Sequence, residues 1–95
     1  MNPSNNTSAF NILVAEDNFT NQVILEKILQ AAGWQVKTAL NGRQALEYLA
    51  QQTFDLVLMD WQMPVMDGLT ATREIRNSKA AWAKIPVIGI TGNSS

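Results

Sequence analysis

Short apolar runs alternate along the chain with longer segments in which apolar residues recur at three- and four-residue spacing. The apolar runs predict four strands, at residues 11–15, 34–39, 55–59 and 86–90. The segments between them predict three helices, one running from a cap at Asn18 or Thr20 to a terminating Gly33 and two at residues 43–51 and 69–78. Because strands and helices alternate, the pattern predicts a parallel α/β sheet with helices on both faces.

Helical spacing also identifies the side chains expected to face the sheet. They are Ala45, Leu46, Leu49 and Ala50 in the second helix and Leu69, Ala71, Thr72 and Ile75 in the third. The pairs Asn41-Gly42 and Asp67-Gly68, which precede these helices, are typical of turns. Residues 1–10 are rich in Asn and Ser and are interpreted as a tail or linker, so the predicted single domain covers residues 11–95.

Acidic and hydroxyl side chains stand where three of the predicted strands end. Glu16 and Asp17 follow the first strand, Asp60 follows the third and Thr91 follows the fourth. The carboxyl ends of parallel strands meet at one edge of the sheet, which is where open α/β folds bind ligands. Taken singly, each of these residues is most simply a cap or loop residue, and only their convergence predicts a site.

The chain contains no His and no Cys, so this predicted site has oxygen ligands alone. Three neighbouring carboxylates cannot all stay ionised without a partner. Either one of them has a raised pKa, or a hard cation such as Mg²⁺ or Mn²⁺ binds between them. An Asp carboxylate beside such a cation is a competent nucleophile that can form an aspartyl-phosphate.

Charge and hydropathy exclude other classes of partner. Seven basic residues are balanced by eight acidic ones, without a dense basic cluster, which argues against nucleic-acid binding. The apolar runs are far shorter than the ~20 residues that span a bilayer, and the first residues lack the pattern of a signal peptide. We expect a cytoplasmic segment without membrane contact, in a parent protein that can be anchored elsewhere.

Several segments together resemble the response-regulator receiver domain of two-component signalling, in the form found in hybrid sensor histidine kinases. The main motifs are ILVAEDN at 12–18, LVLMDWQMPVMDG at 56–68 and IPVIGITGN at 85–93. NQVILEKIL at 21–29 and ALNGRQALEYL at 39–49 resemble the same family. Three motifs in this order are a specific signature, whereas any one of them alone would be weak.

The resemblance implies a flavodoxin-like, doubly wound parallel sheet with strand order 2-1-3-4. It implies that Asp60 takes a phosphoryl group from a phosphohistidine on a histidine kinase or a histidine phosphotransfer domain. By position, the Mg²⁺ (or Mn²⁺) ligands would be Glu16, Asp17, Asp60 and the backbone carbonyl of Gln62. Thr91 would be the switch hydroxyl that moves toward the phosphoryl group. We therefore expect a phosphoacceptor module rather than an enzyme, within a parent that can be a hybrid histidine kinase.

The chain also departs from the family pattern. Family members continue with a further helix, a fifth strand that ends in a phosphoryl-pairing Lys, and a fifth helix, so we expect this chain to be incomplete at its C-terminus. Strand four would then have a free apolar edge, and one sheet face would lack the helix that covers strands one and three. Self-association through these surfaces is the expected consequence. Trp61 stands beside Asp60 where the family varies, and the resemblance implies no role for it beyond limiting access.

Two other functions compete with phosphoryl acceptance. One is an interaction or dimerisation module that cannot be phosphorylated, because the Lys segment is missing. The other is a metal-dependent phosphatase of the haloacid-dehalogenase type. The phosphatase chemistry needs a second Asp two residues after the nucleophile, and this chain has Gln62 there.

Overall fold

The computed structural model describes residues 10–90, in which four short strands form one parallel sheet. The strands are β1 (Asn11–Ala15), β2 (Gln35–Ala39), β3 (Leu56–Asp60) and β4 (Val87–Ile90). The helices are α1 (Phe19–Ala31), α2 (Gly42–Gln51) and α3 (Gly68–Asn77), and a 3₁₀ turn covers Ala81–Lys84. The sheet order β2-β1-β3-β4 confirms both the predicted α/β class and the strand order that the resemblance implied.

Helix α1 begins and ends where local side-chain chemistry directs it. The Asn18 side chain caps its first turn by accepting a hydrogen bond from a backbone N–H three residues later. Gly33 adopts a φ of +91° just beyond the helix, which favours glycine because a Cβ is strained there. The N–H groups of Gly33 and Trp34 donate to the carbonyls of Gln30 and Leu29, so the last turn is closed on itself.

The two pairs predicted as turns are helix starts. Asn41 and Asp67 cap α2 and α3, and each side-chain oxygen accepts a hydrogen bond of 2.8 Å from the backbone N–H three residues on. The glycine of each pair is the first helical residue. The hydrogen bond from the Thr70 N–H lowers the pKa of Asp67, so this carboxylate is engaged at the helix start.

The core lies in two layers, one on each face of the sheet. One layer packs α2 and α3 on β1 and β3, and its buried residues include Leu13, Ala15, Val57, Met59, Ala45, Leu49, Ala71 and Ile75. The other packs α1 on the opposite face, around Ile12, Val14 and Leu29. Alternate residues of β1 therefore face opposite layers, and four of its five residues are buried.

Two of the expected burial positions are wrong. Leu69 is 51% exposed, because it lies about 200° around the helix from the inward-facing Ala71. Ala50 is also exposed, since the buried face of α2 is narrow and centred on Ala45 and Leu49. The expected loss of cover on one sheet face holds only in part. Ile12 of β1 is fully buried in the layer that contains Leu29 of α1, whereas Leu56 and Leu58 of β3 are only partly buried there.

Apolar side chains are exposed on β4, as the sequence led us to expect, and also on α1. Ile24 and Ile28 of α1 are 50% and 60% exposed, and Ile88 of β4 is 52% exposed. Within residues 10–90, none of the helices combines the length and the apolar character needed to cross a bilayer.

Candidate functional site

The ends of β1 and β3 bring three carboxylates together. Glu16, Asp17 and Asp60 each have an oxygen within 4.8 Å of an oxygen of the others. Glu16 and Asp60 are buried, at 1% and 6% exposure, while Asp17 is exposed. A mostly polar cleft of about 720 Å³ opens above them, lined also by Asn18, Phe19, Thr20, Asn21 and Gln62. Thr91, the remaining predicted site residue, lies outside the described residues.

Three neighbouring residues hold Glu16 in this cleft through hydrogen bonds with its backbone and its side chain. Its N–H donates to the carbonyl of Ala39 at 2.9 Å, which extends the β1–β2 ladder by one residue. The Asn18 N–H donates to Glu16 Oε2 at 3.0 Å, and the buried Gln22 side-chain amide donates to the Glu16 carbonyl. Sequence reasoning missed Gln22, whose only signal is a polar residue on the sheet-facing side of α1.

Burial raises the pKa of Glu16 above its usual value of 4.5. The nearby Asp60 and Asp17 carboxylates raise this pKa further, while the hydrogen bond from Asn18 lowers it. Among the described residues, Glu16 Oε1 accepts no hydrogen bond while Glu16 and Asp60 are both ionised. The raised pKa of Glu16 therefore reduces the charge repulsion among the three carboxylates in the metal-free protein. This was one of the two possibilities that the sequence left open.

The same geometry suits the other possibility, a hard cation. Every side chain of the cluster offers a carboxylate oxygen, and the buried Glu16 Oε1, which accepts no hydrogen bond, is available to coordinate a cation. Among residues 10–90, the lining of the cleft includes no Lys or Arg to balance the carboxylates. The donor set therefore fits Mg²⁺ or Mn²⁺ better than a softer metal.

Changing Glu16 to Gln should stabilise the metal-free protein more at neutral pH than at acidic pH. The folded chain binds the Glu16 proton more tightly than the unfolded chain, because the pKa of Glu16 is raised on folding. That contribution is fully present below the unfolded pKa and is lost as the pH rises through the folded pKa. The Gln side chain cannot ionise, so Glu16→Gln avoids this loss.

Urea unfolding in EDTA at about pH 4 and about pH 8 measures this difference. Glu74→Gln removes one charge from an exposed position on α3 and serves as the matched control. The prediction would be contradicted if the gain in free energy of unfolding of Glu16→Gln over wild type did not grow with pH. It would also be contradicted if Glu74→Gln gave the same gain.

The loop after Asp60 folds back onto that residue. The Gln62 N–H donates to Asp60 Oδ1 at 3.1 Å, and the Gly68 N–H donates to the Trp61 carbonyl at 3.2 Å. A Cβ on Gly68 would overlap the backbone carbonyl of Asp60, so only glycine permits this approach. The start of α3 is thereby packed directly against the end of β3.

A strained turn lies in the middle of this loop. The Met66 N–H donates to the Pro64 carbonyl at 2.6 Å across Val65, whose φ is +69°. A three-residue turn with positive φ at its centre is the rare form of the γ-turn, and a β-branched residue there is strained by about 1–3 kcal/mol. The Met66 carbonyl accepts the Gly42 N–H at 2.9 Å, which ties the loop to α2 and helps to hold the turn.

Comparison with known proteins shows which family the sequence matches. Residues 12–95 match the model of the response regulator receiver domain. The chain is 43% identical over 84 residues to the CAI-1 autoinducer sensor kinase/phosphatase CqsS of Vibrio cholerae, covering 88% of this chain and 12% of that protein. It is 44% identical over 84 residues to the transcriptional regulatory protein ZraR of Escherichia coli, covering 88% of this chain and 18% of the relative.

Solved structures agree with the fold. The receiver domain of the sensor histidine kinase PA1611 of Pseudomonas aeruginosa superimposes with a TM-score of 0.83 at 38% identity. The match covers 90% of this chain and 70% of that one, and that structure has a magnesium ion coordinated in its active-site cleft. The chain thus spans less than a fifth of the sensor kinase and regulator that it matches, and most of a receiver domain.

Proposed function

The chain belongs to the response regulator receiver domain family, and from this premise we propose that Asp60 accepts a phosphoryl group from a phosphohistidine of a partner. An Asp60 carboxylate oxygen attacks phosphorus, the P–N bond to the imidazole breaks, and the histidine keeps the bonding electron pair and takes up a proton. The observation that carries the proposal is a buried Asp60 at a strand end, with Glu16 and Asp17 beside it and a cleft above.

We propose that the acidic cluster also holds Mg²⁺ or Mn²⁺. Glu16, Asp17 and Asp60 supply carboxylate oxygens, and the backbone carbonyl of Gln62, a cleft-lining residue, completes the protein ligands. When bound, the ion neutralises charge on the transferring phosphoryl oxygens. Thr91 follows β4 directly in sequence, and its proposed role as the switch hydroxyl rests on the family motif.

The phosphoryl donor lies outside these residues. The 95-residue chain contains no His, so the phosphohistidine belongs to a histidine kinase or phosphotransfer domain, on another chain or on another part of the parent protein. The relatives include sensor kinases and a transcriptional regulator, and either kind of parent is compatible with the domain. Cytoplasmic location stays a prediction of the sequence.

A second function has one specific observation in its favour. No Lys or Arg lines the cleft within residues 10–90, so no described cation faces the incoming phosphoryl group. A module that binds partners without being phosphorylated would show the same feature. The two functions differ in whether the chain can be labelled.

Incubation with acetyl phosphate or phosphoramidate should label the chain in Mg²⁺ and not in EDTA. The cluster carries three carboxylates, so without a cation their negative charge repels the phosphoryl oxygens. Intact-protein mass spectrometry measures the added phosphoryl group. Absence of labelling in both conditions, while the protein remains folded, would favour the interaction module instead.

We also propose that copies of this 95-residue chain associate. Within residues 10–90, β4 pairs only with β3, and Ile88, which faces the same side of the sheet as Leu58, is 52% exposed. A free apolar strand edge is a template for pairing with another strand. Light scattering at increasing micromolar concentration should show a rising mean mass.

Ile88→Lys should reduce this association, because a charge on the exposed face of an edge strand opposes pairing. Leu69→Lys is the matched control, since Leu69 is 51% exposed and belongs to α3, which packs on the opposite face of the sheet from Ile88. A mass that stays monomeric at every concentration, or equal effects of the two variants, would contradict the proposed surface.

A further inference from the structure

Trp61, the residue after the acceptor, rests on bare backbone. Three atoms of its indole ring occupy the place where a Cβ on Gly89 would stand. The β3–β4 register pairs Met59 with Gly89, so the ring reaches back over the strand neighbouring its own. Trp61 is 36% exposed, so one part of the ring contacts β4 while another part is open to solvent. Its large ring thus fits a gap that exists because residue 89 has no side chain.

The backbone of Trp61 is tied down on the same side. Its N–H points to the Ile90 carbonyl at 3.4 Å, a weak continuation of the β3–β4 ladder. Its carbonyl accepts the Gly68 N–H at 3.2 Å. Ring, N–H and carbonyl therefore attach one residue to β4 and to the start of α3 at the same time.

This residue stands between two members of the proposed site. Asp60, before it, is the proposed acceptor, and Gln62, after it, is the proposed carbonyl ligand and donates its N–H to Asp60 Oδ1. The direction of the Gln62 carbonyl depends on the backbone of the segment 60–62. The Trp61 ring on Gly89 is one of the packing contacts that hold this segment, beside the close approach of Gly68 to the Asp60 backbone.

We propose that Trp61 is a positioning residue for the acceptor site, and that its indole ring, seated on Gly89, holds segment 60–62 in the geometry that cation binding and phosphoryl transfer need. The inference rests on the proposed function of Asp60. It adds a steric pairing between residues 61 and 89, which are 28 positions apart in the sequence. A large ring at 61 requires a residue without a side chain at 89.

The pairing predicts a non-additive set of variants of the 95-residue chain. Gly89→Ala should lift the ring from its seat and weaken Mg²⁺ binding, measured by calorimetry, by about tenfold, as loss of residues that orient metal ligands typically does. Trp61→Ala should weaken it to a similar degree. In the Trp61→Ala background, Gly89→Ala should then change Mg²⁺ affinity by less than about twofold, because no ring remains to be displaced. Trp61→Phe, with a smaller ring on the same seat, should recover most of the affinity.

Two further readouts accompany the affinity. Acrylamide quenching of Trp61, in a Trp34→Phe and Trp82→Phe background, should increase in Gly89→Ala because the ring becomes more accessible. The rate of labelling by acetyl phosphate should fall in parallel with Mg²⁺ affinity. Urea unfolding of each variant ensures that affinity is compared only between folded proteins.

The outcomes separate this inference from the function on which it rests. A wild-type chain that neither binds Mg²⁺ nor takes a phosphoryl group would overturn the proposed function, and the positioning role with it. Wild-type labelling with unchanged Mg²⁺ affinity and rate in Gly89→Ala would overturn the positioning role alone. Additive effects of the two substitutions would do the same, since independent sites add.

Discussion

Asp60→Asn should abolish phosphoryl transfer to this chain, lowering the labelling rate by about a thousandfold or more. The substitution removes the carboxylate oxygen that forms the bond to phosphorus, and phosphoryl transfer to residue 60 cannot proceed without this nucleophile. The Asn amide has nearly the same size, and it removes one of three crowded charges, so the fold should be retained. Labelling with acetyl phosphate in Mg²⁺, followed by mass spectrometry, measures the effect.

Asp55→Asn is the matched control for this experiment. It removes the same charge at the opposite end of β3, where Asp55 is exposed and accepts the Asn11 N–H at 2.8 Å through a side-chain oxygen that Asn also offers. Its labelling should equal that of the wild type. Retained labelling in Asp60→Asn would show that another carboxylate is the acceptor and would overturn the assignment.

Gly68→Ala should cause the largest loss of stability among the substitutions considered, about 3 kcal/mol in the free energy of unfolding. The new Cβ would overlap the backbone carbonyl of Asp60 and the side chain of Met59. Met59 is fully buried in the core, and the Asp60 carbonyl belongs to a strand bonded to its neighbours, so neither group can easily move aside. The start of α3 must therefore move away from β3, and the loop that carries Gln62 moves with it.

Urea unfolding of Gly68→Ala beside Gly33→Ala separates collision from backbone strain. Gly33 has a φ of +91° and open space around its Cα, so Ala there adds strain of about 1 kcal/mol without a clash. Gly68 is helical, and its cost is the collision. Similar losses in the two variants would mean that the contact between α3 and Asp60 is looser than the structure shows.

Both predictions concern one arrangement, in which the proposed acceptor is held from several directions. The Gln62 N–H, the missing side chain of Gly68 and the Trp61 ring on Gly89 all act within one residue of Asp60 or on it directly. Phosphoryl transfer depends mainly on positioning and charge stabilisation, so a rigid acceptor segment serves that chemistry. The strain at Val65 is tolerated because the loop is tied at both ends.

The sequence alone determined the fold class and the location of the carboxylate cluster. Apolar runs and helical spacing are properties of neighbouring residues, so they identify strands, helices and the strand-end carboxylates Glu16, Asp17 and Asp60 without knowledge of packing. The order of motifs along the chain was also enough to show a resemblance to the receiver family. The structure then confirmed the strand order that this resemblance implied.

Only the tertiary structure decided what surrounds those carboxylates. Leu69 and Ala50 were expected to face the sheet, but the helix rotation that packing selects leaves both exposed. The raised pKa of Glu16 comes from burial beneath α1 and from Asp60, two causes that arise from different elements. The closeness of Gly68 to Asp60 and of Trp61 to Gly89 likewise depends on distances between segments far apart in the chain. Periodicity shows which way a side chain points, whereas the partner it meets is set by how whole elements pack together.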